Sequence, residues 1–548
     1  MRSVSREPAV VIVIVILVGL MLMFIIYPQV QVVIVPGLGG YIDFLAGQTW
    51  IKPLLNSLQI MLASTTTAVT LGFIYAYSMV YSEMPWKPFF RMVGILPLLS
   101  PPFVVAVSYI LLFGPRGVIS YGIFGQSPLI LGFSGLWGVQ TIAFFPFAYQ
   151  LIADVLARND PRLEQAARNL GARTWSVFRT ITLPLARPGL AVAILTTAIY
   201  ILEDFGNPLL IAGQFTVLPS QAYSLIEGFG DFTGAAAVST ILLVLALGLY
   251  VAKLRIEGNR SYVTISGKAT SIPRPPIPRA LTRACFIACL VLALFIFMVY
   301  GVLIVSALTV SFPNNLGFTL NHFEYLGSHS QSLINSLQFG GIAAIICALF
   351  AMLLAFLVQR KEWWGRNVVD FMAIMPAAVP GLFFGIGYAT AFNQKWFEAI
   401  AYPLFGRDGT PGVLITIALL FWNIPVGYQA AIAGLQQIDR SLDEAATSLG
   451  ASSLRGFRDI LFPMLDSALL TGFVTAFVRA VTTLSVVIFL FTPSTTVATI
   501  TIFQLVTDFD WGGSTAFTVS LIGMAVIVLS VVYFVSGRRA GLQRTAGG

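Results

Sequence analysis

The chain has 548 residues, of which 57% are hydrophobic and only 10% are charged, and its mean hydropathy is +0.86. A soluble chain of this length carries far more charge, so the composition predicts an all-α polytopic membrane protein and argues against a soluble enzyme. Lysine and arginine number 31 against 23 aspartates and glutamates. In a membrane protein such an excess reports the orientation of loops more than the charge of a ligand, and nucleic acid is not an expected partner.

Apolar stretches of about the ~20 residues that a bilayer requires recur along the whole chain. Arg2 and Arg6 precede the first one, which has no small-residue cleavage site and is therefore predicted to be a span rather than a signal peptide. The predicted spans are Val10–Tyr27, Leu54–Tyr81, Phe89–Phe113, Leu136–Leu156, Gly189–Leu202, Ala235–Val251, Ala284–Leu308, Ile334–Val358, Val368–Phe392, Gly412–Leu435, Ala468–Leu490 and Ala516–Val535.

A polar, proline-containing segment, Lys253–Arg283, separates two sets of six predicted spans. We expect a first six-helix half at residues 1–252, a basic cytoplasmic linker at 253–283 and a second six-helix half at 284–548. The prolines of the linker disfavour a continuous helix, so it is predicted to be a surface tether. Most basic residues lie in the linker, at the two termini and in loops on the same side, which places this side in the cytoplasm.

The two halves are a direct repeat with a constant spacing. Gly450 follows Gly171 by 279 positions, and the same spacing relates Asn335 to Asn56. Six spans in each half keep both copies in the same orientation in the membrane. Further pairs at this spacing are Pro97 and Pro376, Pro101 and Pro380, Pro146 and Pro425, Tyr149 and Tyr428, and Pro184 and Pro463.

Each half carries one polar loop between apolar runs, at residues 157–188 and 436–467. Leucine and alanine recur in each loop at i, i+3, i+4 and i+7, a spacing that predicts a short helix with a narrow apolar stripe. Asp160 and Asp439 occupy N-cap positions, whereas Gly171 and Gly450 stand where a helix ends in a left-handed turn. The stripe residues are Leu163, Ala166, Ala167 and Leu170 in the first loop and Leu442, Ala445, Ala446 and Leu449 in the second.

These loops resemble the signature loop of bacterial ABC importer permeases: Glu-Ala-Ala, three residues, Gly, nine residues, then Ile-x-Leu-Pro. The second loop departs only at Phe462, whereas the first has Gln165 at the glutamate position and Glu164 one residue earlier. In that family the loop helix couples to a groove on an ATPase subunit. The matching residues, and thus the candidate coupling residues, are Leu163, Glu164, Gln165, Ala166, Ala167, Gly171, Pro184, Leu442, Glu444, Ala445, Ala446, Gly450 and Pro463.

The resemblance implies a type I ABC importer permease fold of about 12 helices in the bacterial inner membrane, with both termini in the cytoplasm. It implies two copies of a cytoplasmic ATPase that hold ATP and magnesium, and an extracytoplasmic solute-binding protein. This chain then has no catalytic residues and no cofactor of its own. A gradient-driven secondary transporter, which can also be built from parallel repeats, is the more distant alternative because such a protein has no ATPase to dock.

Charged residues inside predicted spans are costly and are candidates for the substrate path. Glu203 and Asp204 follow the fifth span, and at the repeat spacing Thr482 and Thr483 take their places. Arg479 lies three residues before Thr482. We expect the two carboxylates to lie at the path between the halves; the other interpretation is a structural ion pair with Arg479.

The segment Leu202-Glu203-Asp204-Phe205-Gly206, the following Asn207–Leu210 and the run Thr482–Leu490 resemble the fused permeases of the ferric-iron uptake family. Fe³⁺ prefers oxygen ligands, which Glu203 and Asp204 offer. Arg479 would suit a phosphorylated or phosphonate solute instead, and fused permeases for thiamine are also close relatives. The three cysteines have no metal-ligand spacing, so no firm metal site is expected.

Overall fold

The computed structural model describes residues 7–126, 131–258 and 274–546, which are mostly helical, with one short hairpin and several non-helical turns. Among these residues, ten helices are long and apolar enough to cross a membrane. Two further pairs of helices pass the same criteria together, although each pair is bent, by 110° in one and 76° in the other. The expected all-α membrane architecture is confirmed, and the count reaches twelve if each bent pair is one span.

One compact unit, here the first unit, comprises residues 45–228 and 244–319. Its centre is the pair of long helices Ile51–Tyr81 and Phe133–Arg158. Around them lie helices Lys87–Ile95, Val104–Phe113, Pro161–Asn169, Thr174–Val177, Leu183–Leu202, Gly206–Ile211, Leu218–Phe229 and Arg279–Ala307, π-helical turns Val118–Ile123 and Phe178–Thr182, the 3-10 turn Leu96–Leu99, and the antiparallel strands Thr309–Ser311 and Asn315–Phe318.

The second unit comprises residues 1–44, 229–243 and 320–548, and helix Phe232–Gly258 runs from this unit into the first. Its centre is the equivalent pair, Asn321–Arg360 and Lys395–Leu435, with Asp466–Thr482 packed on both. Its other helices are Pro8–Met21, Tyr27–Ile34, Gly37–Ala46, Arg366–Ile374, Gly381–Phe392, Ser441–Ser448, Ser453–Gly456, Phe462–Met464, Ala498–Thr507 and Trp511–Ala546, with π-helical turns Leu22–Ile26 and Phe457–Leu461 and the 3-10 turn Met375–Ala378.

The compact units do not coincide with the two halves of the sequence, because the first span of each half packs on the other half. The Tyr388 hydroxyl donates to the Phe24 carbonyl at 2.7 Å, which ties the N-terminal helix to the second half. Ser100 and Tyr300 share a hydroxyl hydrogen bond of 2.7 Å, which ties helix Arg279–Ala307 to the first half. The boundaries expected at 252 and 284 stay predictions, and packing exchanges these two spans between the compact units.

Two predicted spans are broken at the prolines of the repeat. Phe89–Phe113 was expected to be continuous, but its first helix ends at Ile95 and the next begins at Val104. The equivalent stretch Val368–Phe392 bends by 110° between Ala378 and Gly381. Proline has no N–H and clashes with the preceding turn, so Pro97, Pro101, Pro376 and Pro380 interrupt the helices where they stand.

The predicted span Ala468–Leu490 is wrong at its C-terminal end. Helix Asp466–Thr482 ends before the run of eight residues that follows it, and these residues form turns. A Cβ atom on Gly381 would lie 2.2 Å from the Ser485 hydroxyl, and one on Gly385 would lie 2.8 Å from the Val486 carbonyl. The turns therefore pack directly on the backbone of helix Gly381–Phe392, a contact that apolar composition alone did not reveal.

The predicted linker Lys253–Arg283 is helical at both ends. Residues 253–258 continue helix Phe232–Gly258, and residues 279–283 begin helix Arg279–Ala307. The short stretch 274–278 is not helical, as its prolines predict, and residues 259–273 lie outside the described part of the chain.

Candidate functional site

The helices of the two polar loops, Pro161–Asn169 and Ser441–Ser448, are here named the first and second loop helix. The Asp160 carboxylate caps the first by accepting from the Arg162 N–H at 2.9 Å. Asp439 accepts from the Ser441 N–H at 2.8 Å, and this bond lowers the pKa of Asp439. The second helix begins one residue later than predicted, since Arg440 rather than Asp439 is its N-cap.

Both loop helices end as predicted, in a left-handed glycine. Gly171 has φ 87° and Gly450 has φ 84°. The N–H groups of Gly171 and Ala172 bond to the carbonyls of Arg168 and Ala167 at 2.9 and 3.0 Å. The second loop helix repeats this pair of bonds, which is the Schellman arrangement and satisfies carbonyls that a helix end otherwise leaves open.

The leucines of each apolar stripe face away from their own unit. Leu170 and Leu449 are 89% and 88% exposed, and Leu163 is 49% exposed. Ala446, by contrast, is buried at the foot of its helix. Solvent-exposed leucine side chains at equivalent positions of two repeated loops are expected of a surface that another protein covers.

Glu164 points the other way, into the first unit, and is only 3% exposed. Its Oε1 accepts from the Tyr81 hydroxyl at 2.9 Å and from the Thr182 hydroxyl at 3.0 Å, and lies 3.8 Å from the Arg274 guanidinium. Gln165, one residue later, is half-buried. Glu164 therefore holds the loop helix in place, and its carboxylate is not part of the exposed stripe.

In the second loop helix the residue equivalent to Glu164 is Asp443, which lies 3.3 Å from the Arg360 guanidinium. Partial burial raises the pKa of Asp443, while the positive charges of Arg360 and Lys361 act in the opposite direction. Glu444, the glutamate of the signature, is exposed together with Leu442 and Ala445. The second loop helix thus offers its signature glutamate to solvent and turns the preceding aspartate inward.

The signature prolines stand at helix starts. Pro184 is in the first turn of Leu183–Leu202, and Pro463 is in the first turn of the short helix Phe462–Met464. Each proline lies just after the π-helical turn of its loop, Phe178–Thr182 or Phe457–Leu461, where that turn passes into the next helix.

Of the two adjacent carboxylates after Leu183–Leu202, Asp204 is buried, with 7% exposure. Its Oδ2 accepts from the Gln140 amide at 2.8 Å and the Asn207 amide at 3.0 Å. Gln140 in turn accepts from the Ser64 hydroxyl at 3.1 Å. Asp204 thus joins three helices at the break in the chain, whereas Glu203 is half-buried.

Comparison with known proteins accounts for the repeated loops. Residues 68–255 and 340–540 both match the family described as the inner membrane component of binding-protein-dependent transport systems. The chain belongs to this family. Together the two matches cover more than half of the chain, and they confirm that it is a fused permease of two halves.

This permease is similar over nearly its full length to proteins named for ferric iron. It is 33% identical over 535 residues to the ferric transport system permease protein FbpB of Actinobacillus pleuropneumoniae, covering 94% of this chain and 76% of the relative. It is 23% identical over 511 residues to the Fe(3+)-transport system permease protein FbpB 2 of Haemophilus influenzae, covering 91% and 93%. It is also 34% identical over 202 residues to the molybdenum transport system permease protein ModB of Escherichia coli, covering 36% of this chain and 88% of the relative.

The remaining predicted path residues of the permease lie at the end of helix Asp466–Thr482. The Arg479 guanidinium is 4.6 Å from the centroid of the Trp422 ring, a distance typical of a cation–π contact. The Thr482 hydroxyl donates to the Val478 carbonyl at 2.8 Å, and the Thr483 carbonyl accepts from the Thr499 hydroxyl at 3.0 Å. The path role of the two carboxylates stays a prediction, and so does its alternative, a structural ion pair with Arg479.

Asn56 and Asn335, which are related by the repeat spacing, each begin an Asn-Ser-Leu triplet. Asn56 donates to the Thr216 carbonyl at 2.8 Å, and the Leu218 N–H donates to the Ser57 hydroxyl at 2.8 Å. Asn335 and Ser336 make the equivalent bonds to the Thr496 carbonyl and the Ala498 N–H. These pairs hold the starts of the short helices Leu218–Phe229 and Ala498–Thr507. The spacing there is 280, which reveals one extra residue in the second copy.

Asn335 also lines a cavity of about 640 Å³ in the second unit, together with His329 and Asp508. Asn335 lies in helix Asn321–Arg360, and Arg360, which holds the second loop helix, is the last residue of Asn321–Arg360. The 25 residues between them span roughly 37 Å at 1.5 Å per residue. The cavity and the second loop helix therefore lie near opposite ends of one membrane-crossing helix. Among the residues that the structure describes, no group of three or more histidine, cysteine, aspartate or glutamate side chains could hold a metal ion.

Proposed function

We propose that this permease is the membrane-spanning subunit of an ATP-driven importer that passes ferric iron from an extracytoplasmic binding protein to the cytoplasm. The observation that supports ferric iron as the substrate is the share of this chain that aligns with the relatives. Two relatives named for ferric iron align along 94% and 91% of the chain, whereas the molybdenum relative aligns along 36% of it.

Two copies of a cytoplasmic ATPase dock on the two loop helices, one on each. The exposed stripes support this, because Leu170 and Leu449 are open in the permease alone and would be covered in the complex. ATP and magnesium are held by the ATPase, and this chain contributes no catalytic residue. The loops, both termini and the linker lie in the cytoplasm, where basic residues are retained.

The binding protein docks on the opposite face, and the cavity beside Asn335 and Asp508 lies at that end of helix Asn321–Arg360. Glu203 is the carboxylate proposed to meet the incoming cation, since it is only partly buried, whereas Asp204 is buried and bound by both Gln140 and Asn207. Oxygen donors suit Fe³⁺. A permease must bind its cargo weakly, so a complete ligand cage is not required.

The test is uptake into proteoliposomes that contain the permease, an ABC ATPase and a ferric-ion-binding protein from the same cell. We expect ferric-ion uptake to require both partners and ATP. Uptake of a phosphonate or of thiamine in place of iron would reassign the substrate and point to Arg479 as the anion contact. Uptake driven by an ion gradient without the ATPase would mean that the chain is a secondary transporter.

A further inference from the structure

The second loop helix is held by an arginine at the end of a membrane helix. Arg360 donates to the carbonyls of Leu435 and Ile438 at 2.7 and 2.5 Å and pairs with Asp443 at 3.3 Å. Its side chain is 5% exposed. It therefore binds both the open C-terminus of helix Lys395–Leu435 and the loop helix that follows, where a cation is favoured by the helix dipole.

The first half has no arginine at this position. Counting back by the repeat spacing of 279, the equivalent of Arg360 is Tyr81, while Leu156, Asn159 and Glu164 replace Leu435, Ile438 and Asp443. The first half thus keeps the carbonyl groups and the buried carboxylate. The arginine that binds them in the second half is replaced by Tyr81 in the first.

A residue of the linker occupies the vacant position. Arg274 donates to the carbonyls of Leu156, Ala157 and Asn159 at 2.9, 2.9 and 3.0 Å, and its guanidinium lies 3.8 Å from the Glu164 carboxylate. The same guanidinium stacks 4.8 Å from the centroid of the Tyr81 ring and donates to the Tyr81 hydroxyl at 2.9 Å. Its side chain is only 16% exposed.

A second contact joins the same two segments. The Arg168 guanidinium, in the first loop helix, donates to the Pro276 carbonyl at 2.5 Å. The stretch 274–278 therefore contacts both the start of the loop, through Arg274, and the far end of the loop helix, through Pro276. Such a docked stretch does not act as a free tether.

We propose that Arg274 is a positioning residue for ATP-driven transport: the linker supplies the arginine that orients the first loop helix, as Arg360 orients the second. The proposal rests on the proposed docking of an ATPase to the loop helices. Because its arginine comes from a separate segment, the first loop helix loses this anchor whenever the linker is displaced, whereas the second keeps its own.

The test compares ions taken up per ATP hydrolysed in proteoliposomes of the complete complex. Arg274→Ala should lower this ratio about tenfold, a size typical of coupling between sites. Adding Tyr81→Arg to Arg274→Ala should restore it, because the pair recreates the arrangement of the second half. Arg279→Ala, an exposed arginine five residues along, is the matched control and should behave as the wild type.

Unchanged coupling in Arg274→Ala would overturn the proposal, as would a loss that Tyr81→Arg does not restore. Leu449→Ser, which alters only the second stripe, separates this failure from that of the proposed function. If Leu449→Ser uncouples transport and Arg274→Ala does not, the ATPase docks as proposed and Arg274 has no positioning role. If neither variant has an effect, the docking of the loop helices itself is wrong.

Discussion

Glu203 and Asp204 are adjacent in the chain, but their side chains have different surroundings. Asp204 accepts amide hydrogens from Gln140 and Asn207 inside the first unit, whereas Glu203 is half-buried. Replacing Asp204 with asparagine keeps one oxygen for these two amides but puts an NH₂ group where the other carboxylate oxygen accepts from the Asn207 N–H at 3.5 Å. We expect Asp204→Asn to cost about 1–3 kcal/mol of stability, the usual cost of a buried polar group left unsatisfied. The measurement is the midpoint of thermal unfolding in detergent, which should be lower than that of the wild type.

Glu203→Gln is the matched variant, and we expect it to affect transport rather than stability. It should leave the unfolding midpoint near that of the wild type and lower the uptake of ferric ion, while binding-protein-stimulated ATP hydrolysis persists. Uptake unchanged in Glu203→Gln would remove this carboxylate from the path. Uptake abolished by Arg479→Gln but not by the carboxylate changes would favour an anionic substrate.

At the scale of single residues, sequence predicted the backbone better than the side chains. The left-handed glycines Gly171 and Gly450 follow from chain-local rules, because only the residue and its neighbours decide the turn. The inward direction of Glu164 does not, since it depends on Tyr81 and Arg274, which are distant in sequence. Only the folded structure shows that Glu164, Tyr81 and Arg274 lie together.

At the scale of elements, the exposed stripe makes a specific prediction for the second loop helix. Leu449 is 88% exposed, so Leu449→Ser removes little buried area within the chain and should not lower its stability. It should lower the amount of ATPase that co-purifies and uncouple ATP hydrolysis from uptake. Ser448→Ala, exposed and next to it, is the control; equal loss in both variants would argue against a role of the stripe.

The end of the same helix can be tested through its backbone. Gly450 has φ 84° and open space around the position of a Cβ atom, so Gly450→Ala costs only the strain of the left-handed conformation, about 1 kcal/mol. Gly450→Pro cannot adopt a positive φ and must rebuild the turn. We expect weak uncoupling in the first and complete uncoupling in the second, measured as ATP hydrolysed per ion, with both proteins still inserted. Full coupling in Gly450→Pro would contradict the docking role.

Element boundaries show where prediction from sequence stopped. Hydropathy located nearly every span, since twenty apolar residues are a strong signal. It missed the breaks after Ile95 and after Thr482 because these segments remain apolar while leaving the helix. Their backbone groups are satisfied in part by side-chain hydroxyls, since Ser100 donates to the Pro97 carbonyl and Thr499 to the Thr483 carbonyl, and in part by turn bonds such as that from the Ile488 N–H to the Leu484 carbonyl.

At the scale of the whole molecule, the first spans of the two halves are exchanged. Helix Pro8–Met21 and its continuation pack with the second half, and Arg279–Ala307 packs with the first. Repeat spacing predicted two similar halves but contains no information on which copy of a span packs where. That choice depends on contacts such as Tyr388 with the Phe24 carbonyl, between residues more than 360 positions apart.

The exchange bears on what happens when the chain is cut at Lys268, which lies outside the described residues. Each fragment carries one span that packs on the other half, and Arg274 stays with the C-terminal fragment, from which it still reaches Glu164 and Tyr81. We therefore expect co-expressed fragments 1–268 and 269–548 to associate and to restore uptake, with each fragment alone inactive. Both fragments present in the membrane without uptake would mean that continuity of the linker is itself required. If the two fragments restore uptake and Arg274→Ala in the C-terminal fragment abolishes it, the function of the linker depends on its docked end and not on its continuity.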